Sequence, residues 1–139
     1  SHEVCNIIED FSLSNPSCIK TNKCTTYREG IELLKDIYSR AKSNKSFSDY
    51  VLLSSSALRC GSASFYDRLA DIEWIKELTH KNLSLQSETL SLTTILSYKG
   101  LENKHIILLL DADKVSDKYE LYIGMSRAIL DVEIIFLKK

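Results

Sequence analysis

Glycine and proline are scarce in this chain, at four and one among 139 residues. That scarcity excludes collagen-like and low-complexity architectures and argues against disorder. Neither sign of charge is in excess, because 18 Lys and Arg face 19 Asp and Glu for a formal net charge of -1. A strongly basic duplex-DNA binder is thereby excluded, and only a local basic groove is left as a route to nucleic acid. The four cysteines, Cys5, Cys18, Cys24 and Cys60, form no C-x-x-C pair. Their gaps fit neither a zinc ribbon nor a small disulfide scaffold, so buried or idle thiols in a reducing compartment are expected, and no metal centre. No apolar run approaches the roughly 20 residues that a membrane-spanning helix needs, and no signal peptide is visible. A cytoplasmic protein with no membrane partner is the expectation. The chain opens on Ser1-His2 and has its one methionine at Met125, which suggests a piece excised from a longer protein. Two nucleotide-binding devices are missing as well, the G-x-x-x-x-G-K-[ST] phosphate loop and the G-x-G-x-x-G fingerprint, so a nucleotide is not held by those means.

What is present suffices for one compact domain over residues 1–139, with 44% hydrophobic and 27% charged residues. The first 24 residues are irregular, with a short strand expected near 4–8, a turn at Asn15-Pro16 and a strand near 24–26. Ile31, Leu34, Tyr38 and Ala41 fall three and four apart, which predicts a helix over 27–42 with Arg28, Glu32, Lys35 and Arg40 on its wet face. A polar turn then leads to Tyr50-Val51-Leu52-Leu53, a run with the length and flanks of a buried strand. The triple serine 54–56 reads as a loop, and residues 54–82 as one or two short helices with their loops, weakly periodic in 64–71 and with a shorter element around Trp74. "TLSLTTIL" alternates and predicts a strand, while residues 105–110 are apolar on both faces, as a central strand of a parallel sheet is. Residues 119–130 return to helical spacing through Leu121, Tyr122, Met125, Ala128 and Ile129, and 132–137 close the chain as a strand. Strand, helix and strand keep alternating, which implies an α/β fold: a parallel sheet with helices on both faces, reached by right-handed crossovers.

Two stretches stand out as places for chemistry. "SYKGLENKHIILLLDAD", residues 97–113, feeds a Lys-Gly-Leu-Glu quartet straight into the most apolar run of the chain. In open α/β sheets ligands bind beyond the carboxyl ends of strands, and residues 97–102 leave such an end. Gly100 permits a backbone conformation or a close approach that a side chain would block, and Lys99 and Glu102 offer opposite charges within one turn. Spacing alone favours a helical turn with a surface ion pair. The second stretch is "YELYIGMSRA", where Arg127 follows Ser126 and Gly124 at the end of the expected helix; a lone arginine there is ordinarily solvated. Elsewhere, His80 and His105 have no carboxylate or cysteine at metal spacing and read as surface or satisfied histidines. "CGSAS" lacks the G-x-S-x-G elbow of a hydrolase nucleophile. Trp74 reads as a cap on the core, with base stacking the alternative.

Taken together, "TTILSYKGLE", an apolar strand, a polar interval, "YELYIGMSRA" and a last strand closely resemble the C-terminal, second RecA-like motor domain of UvrD-like superfamily 1 DNA helicases. The family's fifth signature reads like T-x-H-x-x-K-G-L-E and its sixth like L-Y-V-x-x-T/S-R-A. The resemblance extends over residues 27–136, is strongest over 93–136 and weakest over 55–91, and leaves 1–26 poorly matched. It implies that Arg127 reaches the ATP γ-phosphate on a partner motor domain as an arginine finger, its planar fork suiting phosphate. It implies that Glu102, with Gly100 in the same turn, contacts the nucleotide ribose. It places Thr94, with Ser97 and Lys99 nearby, against the backbone of single-stranded DNA, and it makes Tyr122 a packing residue of the core. The partner is then the N-terminal RecA-like domain of the same parent chain, and ATP with Mg2+ is the parent's cofactor rather than a ligand of the isolated fragment.

The pattern also departs from the family. Leu96 stands where many relatives carry a DNA-contacting histidine. Ser54 and Ser55 stand where the fourth signature carries an arginine facing the γ-phosphate, and Arg59 either substitutes for it or is solvated. Residues 56–89 are too few for a large inserted subdomain. A rival reading follows from those losses, a non-catalytic helicase-like module that binds a protein partner. A free-standing nucleotide-binding protein is poorly supported, since nothing cradles a triphosphate.

Overall fold

The apolar runs of the sequence lie side by side as parallel strands. The computed structural model describes residues 7–9, 18–59, 64–78, 88–111 and 118–137. The six strands are β1 (Cys18–Lys23), β2 (Tyr50–Ser54), β3 (Ile75–Glu77), β4 (Leu90–Thr94), β5 (Asn103–Asp111) and β6 (Ala128–Leu137). They form one sheet in the order β1-β6-β5-β2-β4-β3, every pair parallel. Three helices join them: α1 (Tyr27–Ser43), α2 (Phe65–Ala70) and α3 (Lys118–Met125). This is the expected α/β architecture, and its single parallel sheet is compatible with a RecA-like domain.

Strand alternation divides the core into two layers. Leu52, Ile107, Leu109, Ile135 and Leu137 point to the face covered by α1 and α2, where Leu34, Ile37, Ala41, Phe65 and Leu69 meet them. Val51, Leu53, Ile106, Leu108, Ile134 and Phe136 point to the other face, covered by α3 through Leu121, Ile123 and Met125 and by Ile95 and Tyr98. Because β5 is buried on both faces, its residues are apolar without alternation, which is why residues 105–110 announce a central strand. Helix α1 starts where its chemistry dictates. The Thr26 side chain accepts the Glu29 N–H at 3.2 Å, and the Glu29 carboxylate accepts from the Thr25 N–H and hydroxyl, while Arg40 and Lys42 occupy the last turn. Its buried stripe is Gly30, Leu34, Ile37 and Ala41, so Tyr38 lies half-buried at the flank, where its ring meets Phe47 and Trp74. Trp74 is therefore a cap on the core.

Several expectations are corrected. The first strand is Cys18–Lys23 rather than 24–26; Cys24 ends it with its N–H on the Phe136 carbonyl, and its buried thiol is pushed up by burial, with Glu29 adding to it. Residues 7–9 form a helical turn rather than strand, with Ile7 and Ile8 against the second core layer. Beside Trp74 stands a strand, β3, too short for periodicity to show. Ser54 ends β2, Ser55 is buried beside it and the exposed Ser56 opens a 3-10 turn, so the triple serine is the end of a strand passing into a turn rather than a loop. Helix α3 stops at Met125, and Ala128, Ile129 and Leu130 belong to β6. Cys5, the expected turn at Asn15-Pro16, "CGSA" at 60–63 and His80 fall outside the described residues. Among the described residues no helix is long and apolar enough to cross a membrane.

Three tyrosines give the fold a pH signature. Tyr27, Tyr66 and Tyr98 all have their pKa raised chiefly by burial, Tyr66 the most, with the hydrogen bond it donates to Glu77 adding to the effect. Below about pH 10 folded and unfolded states both keep these protons and stability is complete; above it the unfolded chain ionises first and stability falls as pH rises. Urea unfolding midpoints measured between about pH 8 and pH 11 should therefore decline above about pH 10, and Tyr66→Phe should make that decline shallower. A midpoint that holds constant across the range contradicts the assignment.

Candidate functional site

The candidate residues separate onto two edges of the sheet. Thr94 is the last residue of β4, level with Ser54 at the carboxyl end of β2. Glu102 immediately precedes Asn103, the first residue of β5, which is level with Ala128, the first of β6. Residues 95–102 thus run from the carboxyl edge back down one face of the sheet, and only their first half lies where ligands of open α/β sheets are expected. Glu102 and Arg127 lie instead at the amino edge. The sequence could not show this, because the direction in which eight residues travel is not encoded in their spacing.

At the amino edge the backbone brings the two charged residues together. The Asn103 N–H donates to the Arg127 carbonyl at 3.0 Å, so residues 102 and 127 are neighbours where β5 and β6 begin. The turn before Glu102 is set by Gly100 at φ +91, a left-handed conformation that L side chains rarely adopt. An added Cβ at Gly100 would meet nothing within 4 Å, so conformation rather than close approach within the chain selects glycine. Tyr98, buried, donates its hydroxyl to the Glu102 carbonyl at 3.1 Å and fixes the level at which β5 starts. Burial raises its pKa, opposed by a hydrogen bond with Asn103. Sequence reading passed over Tyr98, although Ile95 and Tyr98, three apart, are the signal of a one-turn apolar face.

Arg127 is held by its own neighbours. Its Nε and Nη2 donate to Ser126 Oγ at 3.3 and 3.0 Å, its Nη1 lies 3.5 Å from the Leu101 carbonyl, and Ser126 Oγ donates to the Ile123 carbonyl at 2.7 Å. Among the described residues no carboxylate comes within 4.0 Å of this guanidinium, and Glu102 is exposed with no ion pair. The two residues are therefore neighbours along the backbone, and among the described residues neither charge is neutralised by an ion pair. The expected surface ion pair between Lys99 and Glu102 does not form, because Lys99 Nζ reaches away to the Tyr119 hydroxyl at 3.3 Å in the first turn of α3. Next to this site β6 has one extra residue: Ala128 to Asp131 oppose Asn103 to His105, a bulge that leaves Ile129 and Leu130 exposed. Tyr122 is exposed too rather than in the core, since it lies one position off the buried Leu121 and Met125. His105 is satisfied by Asp131, with Nδ1 3.0 Å from both carboxylate oxygens and the ring stacked on Tyr50. That partner is 26 residues away in sequence and becomes adjacent only through strand register.

At the carboxyl edge the hydroxyls divide. Thr94 is buried and its Oγ1 is engaged, donating to Ser97 Oγ at 2.8 Å and accepting from the Ser97 N–H at 3.1 Å, whereas Ser97 is exposed. Leu96 is exposed beside it. The end of β2 has no arginine; Ser56 donates through N–H and hydroxyl to the buried Glu120 of α3, at 3.1 and 2.6 Å. Arg59 follows on this same carboxyl side, its guanidinium over the Tyr66 ring at 4.8 Å, and so it does not share the edge of Arg127. Among the described residues no group of three His, Cys, Asp or Glu is arranged to hold a metal ion.

No protein-family model and no curated protein matches this chain. Among solved structures, the chain is similar to the C-terminal domain of a possible DNA helicase from Lactobacillus plantarum WCFS1, at a TM-score of 0.62 and 14% identity over 88% of this chain and 74% of that one. At that identity the shared property is the fold.

The height of Arg127 depends on how closely α3 approaches the sheet. A Cβ on Gly124 would come within 2.6 Å of Leu108 Cδ2, a side chain with no room to retreat. Gly124→Val should cost about 1–3 kcal/mol through overpacking, read as a lowered urea midpoint, while Gly100→Ala should cost through backbone strain with its side chain in open space. A Gly124→Val protein as stable as the parent would show that α3 does not depend on this approach.

Proposed function

We propose that this chain is the second motor domain of an ATP-dependent DNA helicase or translocase of the UvrD-like superfamily 1 kind, working against an N-terminal RecA-like domain of the same parent. The observation that carries the reading is the backbone adjacency of Arg127 and Glu102 at the amino ends of β5 and β6, with no carboxylate among the described residues within 4.0 Å of the guanidinium. The fold shared with a helicase C-terminal domain supports it.

In this reading the nucleotide, with its Mg2+, is bound by the partner domain, and this chain supplies one wall of the pocket. The residues present fit that role: Arg127 offers in-plane N–H donors and an unneutralised charge to a phosphate, and Glu102 offers acceptors to ribose hydroxyls. Ser126 and the Leu101 carbonyl orient the guanidinium in advance, so little reorganisation is needed when charge develops on the transferring phosphoryl group. Single-stranded DNA meets the opposite edge, where Ser97 is exposed and Thr94, buried, shapes the turn that presents it, while Lys99, further along the crossover, extends its amine to Tyr119 in the first turn of α3. Closure around ATP at one edge then moves the DNA-contacting edge with it. The rival module that binds a protein partner is favoured by the serines and Leu96 at positions where relatives carry functional groups.

In the full-length parent, Arg127→Ala should remove ATP turnover by roughly 10³-fold or more while nucleotide binding persists. Unchanged turnover removes Arg127 from the finger role and favours the module. The isolated 139-residue chain should show no ATPase activity; robust turnover by it would overturn the reading.

A further inference from the structure

Arg59 and Arg68 are each mounted on aromatic rings. The Arg59 guanidinium carbon lies 4.8 Å from the Tyr66 ring centre, and that of Arg68 lies 3.8 Å from the Tyr27 ring and 5.7 Å from the Phe65 ring. Tyr27 and Phe65 pack on each other with centroids 4.8 Å apart, and all three rings belong to the core layer under α1 and α2. Both arginines are exposed, and among the described residues neither has a carboxylate within 4.0 Å. Stacking occupies the face of a guanidinium and leaves its in-plane N–H donors for another acceptor. Two neighbouring acids are already engaged, Glu77 by the Tyr66 hydroxyl and Glu29 by Thr25. Asp67 is exposed on α2 and, among the described residues, is in an ion pair with neither arginine.

The placement suits a chain-like anion. Arg59 ends the 3-10 turn that follows β2, and Tyr27 opens α1 shortly after β1, so both stacks stand at the carboxyl edge on the face covered by α1 and α2. Ser97 stands at the same edge on the other face, with Ile95 and Tyr98. A polymer touching both crosses the edge over the ends of β4 and β2, where the Ile95 N–H meets the Ser54 carbonyl.

We propose that Arg59 and Arg68 form a phosphodiester-binding site that carries single-stranded nucleic acid across the carboxyl edge, beyond the contacts of Ser97 and Lys99. The inference rests on the strand-contacting reading of that edge. It also gives Arg59 a role other than replacing a γ-phosphate arginine, because it assigns Arg59 to the polymer rather than the nucleotide.

The test is fluorescence anisotropy of a labelled oligothymidylate with the full chain over a range of salt. Each lost phosphate contact should flatten the plot of log affinity against log salt by about 0.7, so Arg59→Gln with Arg68→Gln should flatten it by about 1.4 and weaken binding about tenfold or more at low salt. Arg59→Lys with Arg68→Lys keeps the charge and should retain the wild-type slope, and circular dichroism checks that each variant is folded. Wild-type affinity and slope in the glutamine double variant overturn the site. If Ser97→Ala and Lys99→Ala weaken binding while the arginine variants do not, the site falls and the strand-contacting edge stands. If the wild-type chain binds no oligonucleotide at any salt, both fall.

Discussion

One backbone hydrogen bond organises the amino edge, from the Asn103 N–H to the Arg127 carbonyl. As the first rung between β5 and β6 it makes neighbours of two residues separated by 25 positions, and it does so without help from their side chains. Glu102 and Arg127 do not need to attract each other to be adjacent. Both face solvent, where an ion pair is worth little, so leaving them unpaired has a small cost and preserves two charged groups for an outside ligand. Gly124, Gly100 and Tyr98 serve that rung. The first lets α3 reach β5, the second turns the chain into it, and the third holds the Glu102 carbonyl at its level.

Legibility in the sequence followed the strength of burial. β5 could be read because both its faces are covered, and α1 because its wet and dry faces differ; even there, the buried stripe centres on Ile37 and leaves Tyr38 at the flank. Helix α3 was read five residues too long because Ala128 and Ile129 continue a helical spacing by chance while pairing as strand. The extra residue at Ile129 and Leu130 left no trace in the pattern, and with it went the exposure of both side chains. Edge strand β3, three residues long, has too few positions to alternate. The charged pair was legible only through family resemblance, since an arginine after a helix and a glutamate before a strand are ordinary. Their adjacency is a property of register, as is the His105–Asp131 contact.

The two edges also differ in kind. At the carboxyl ends of β2, β4 and β5, Ser54, Thr94, Asp111 and Glu120 are almost inaccessible, and Glu120 takes two hydrogen bonds from Ser56 across the end of the sheet. At the amino ends Glu102 is exposed and Arg127 half-buried, beside the engaged pairs His105–Asp131 and Lys104–Asp49. Buried hydrogen bonds such as those from Ser56 to Glu120 resist local rearrangement, because breaking one strands its partner away from water. An exposed pair with free donors and acceptors changes partner at little cost.

That asymmetry bears on how a domain of this shape transmits movement. Residues 95–102 are the single direct crossover between β4 and β5, and Ile95 and Tyr98 anchor it in the core at both turns. A crossover so short and so packed cannot absorb displacement by flexing, since its apolar anchors would have to leave their layer. Anything that pulls on Glu102 therefore pulls on Ser97 through the six residues 97–102, anchored in the core at Tyr98, and the sheet moves as one body. In the proposed motor this rigidity is the useful property: the domain acts as a lever between a nucleotide at one edge and a strand at the other, and the give belongs to the contact with the partner domain.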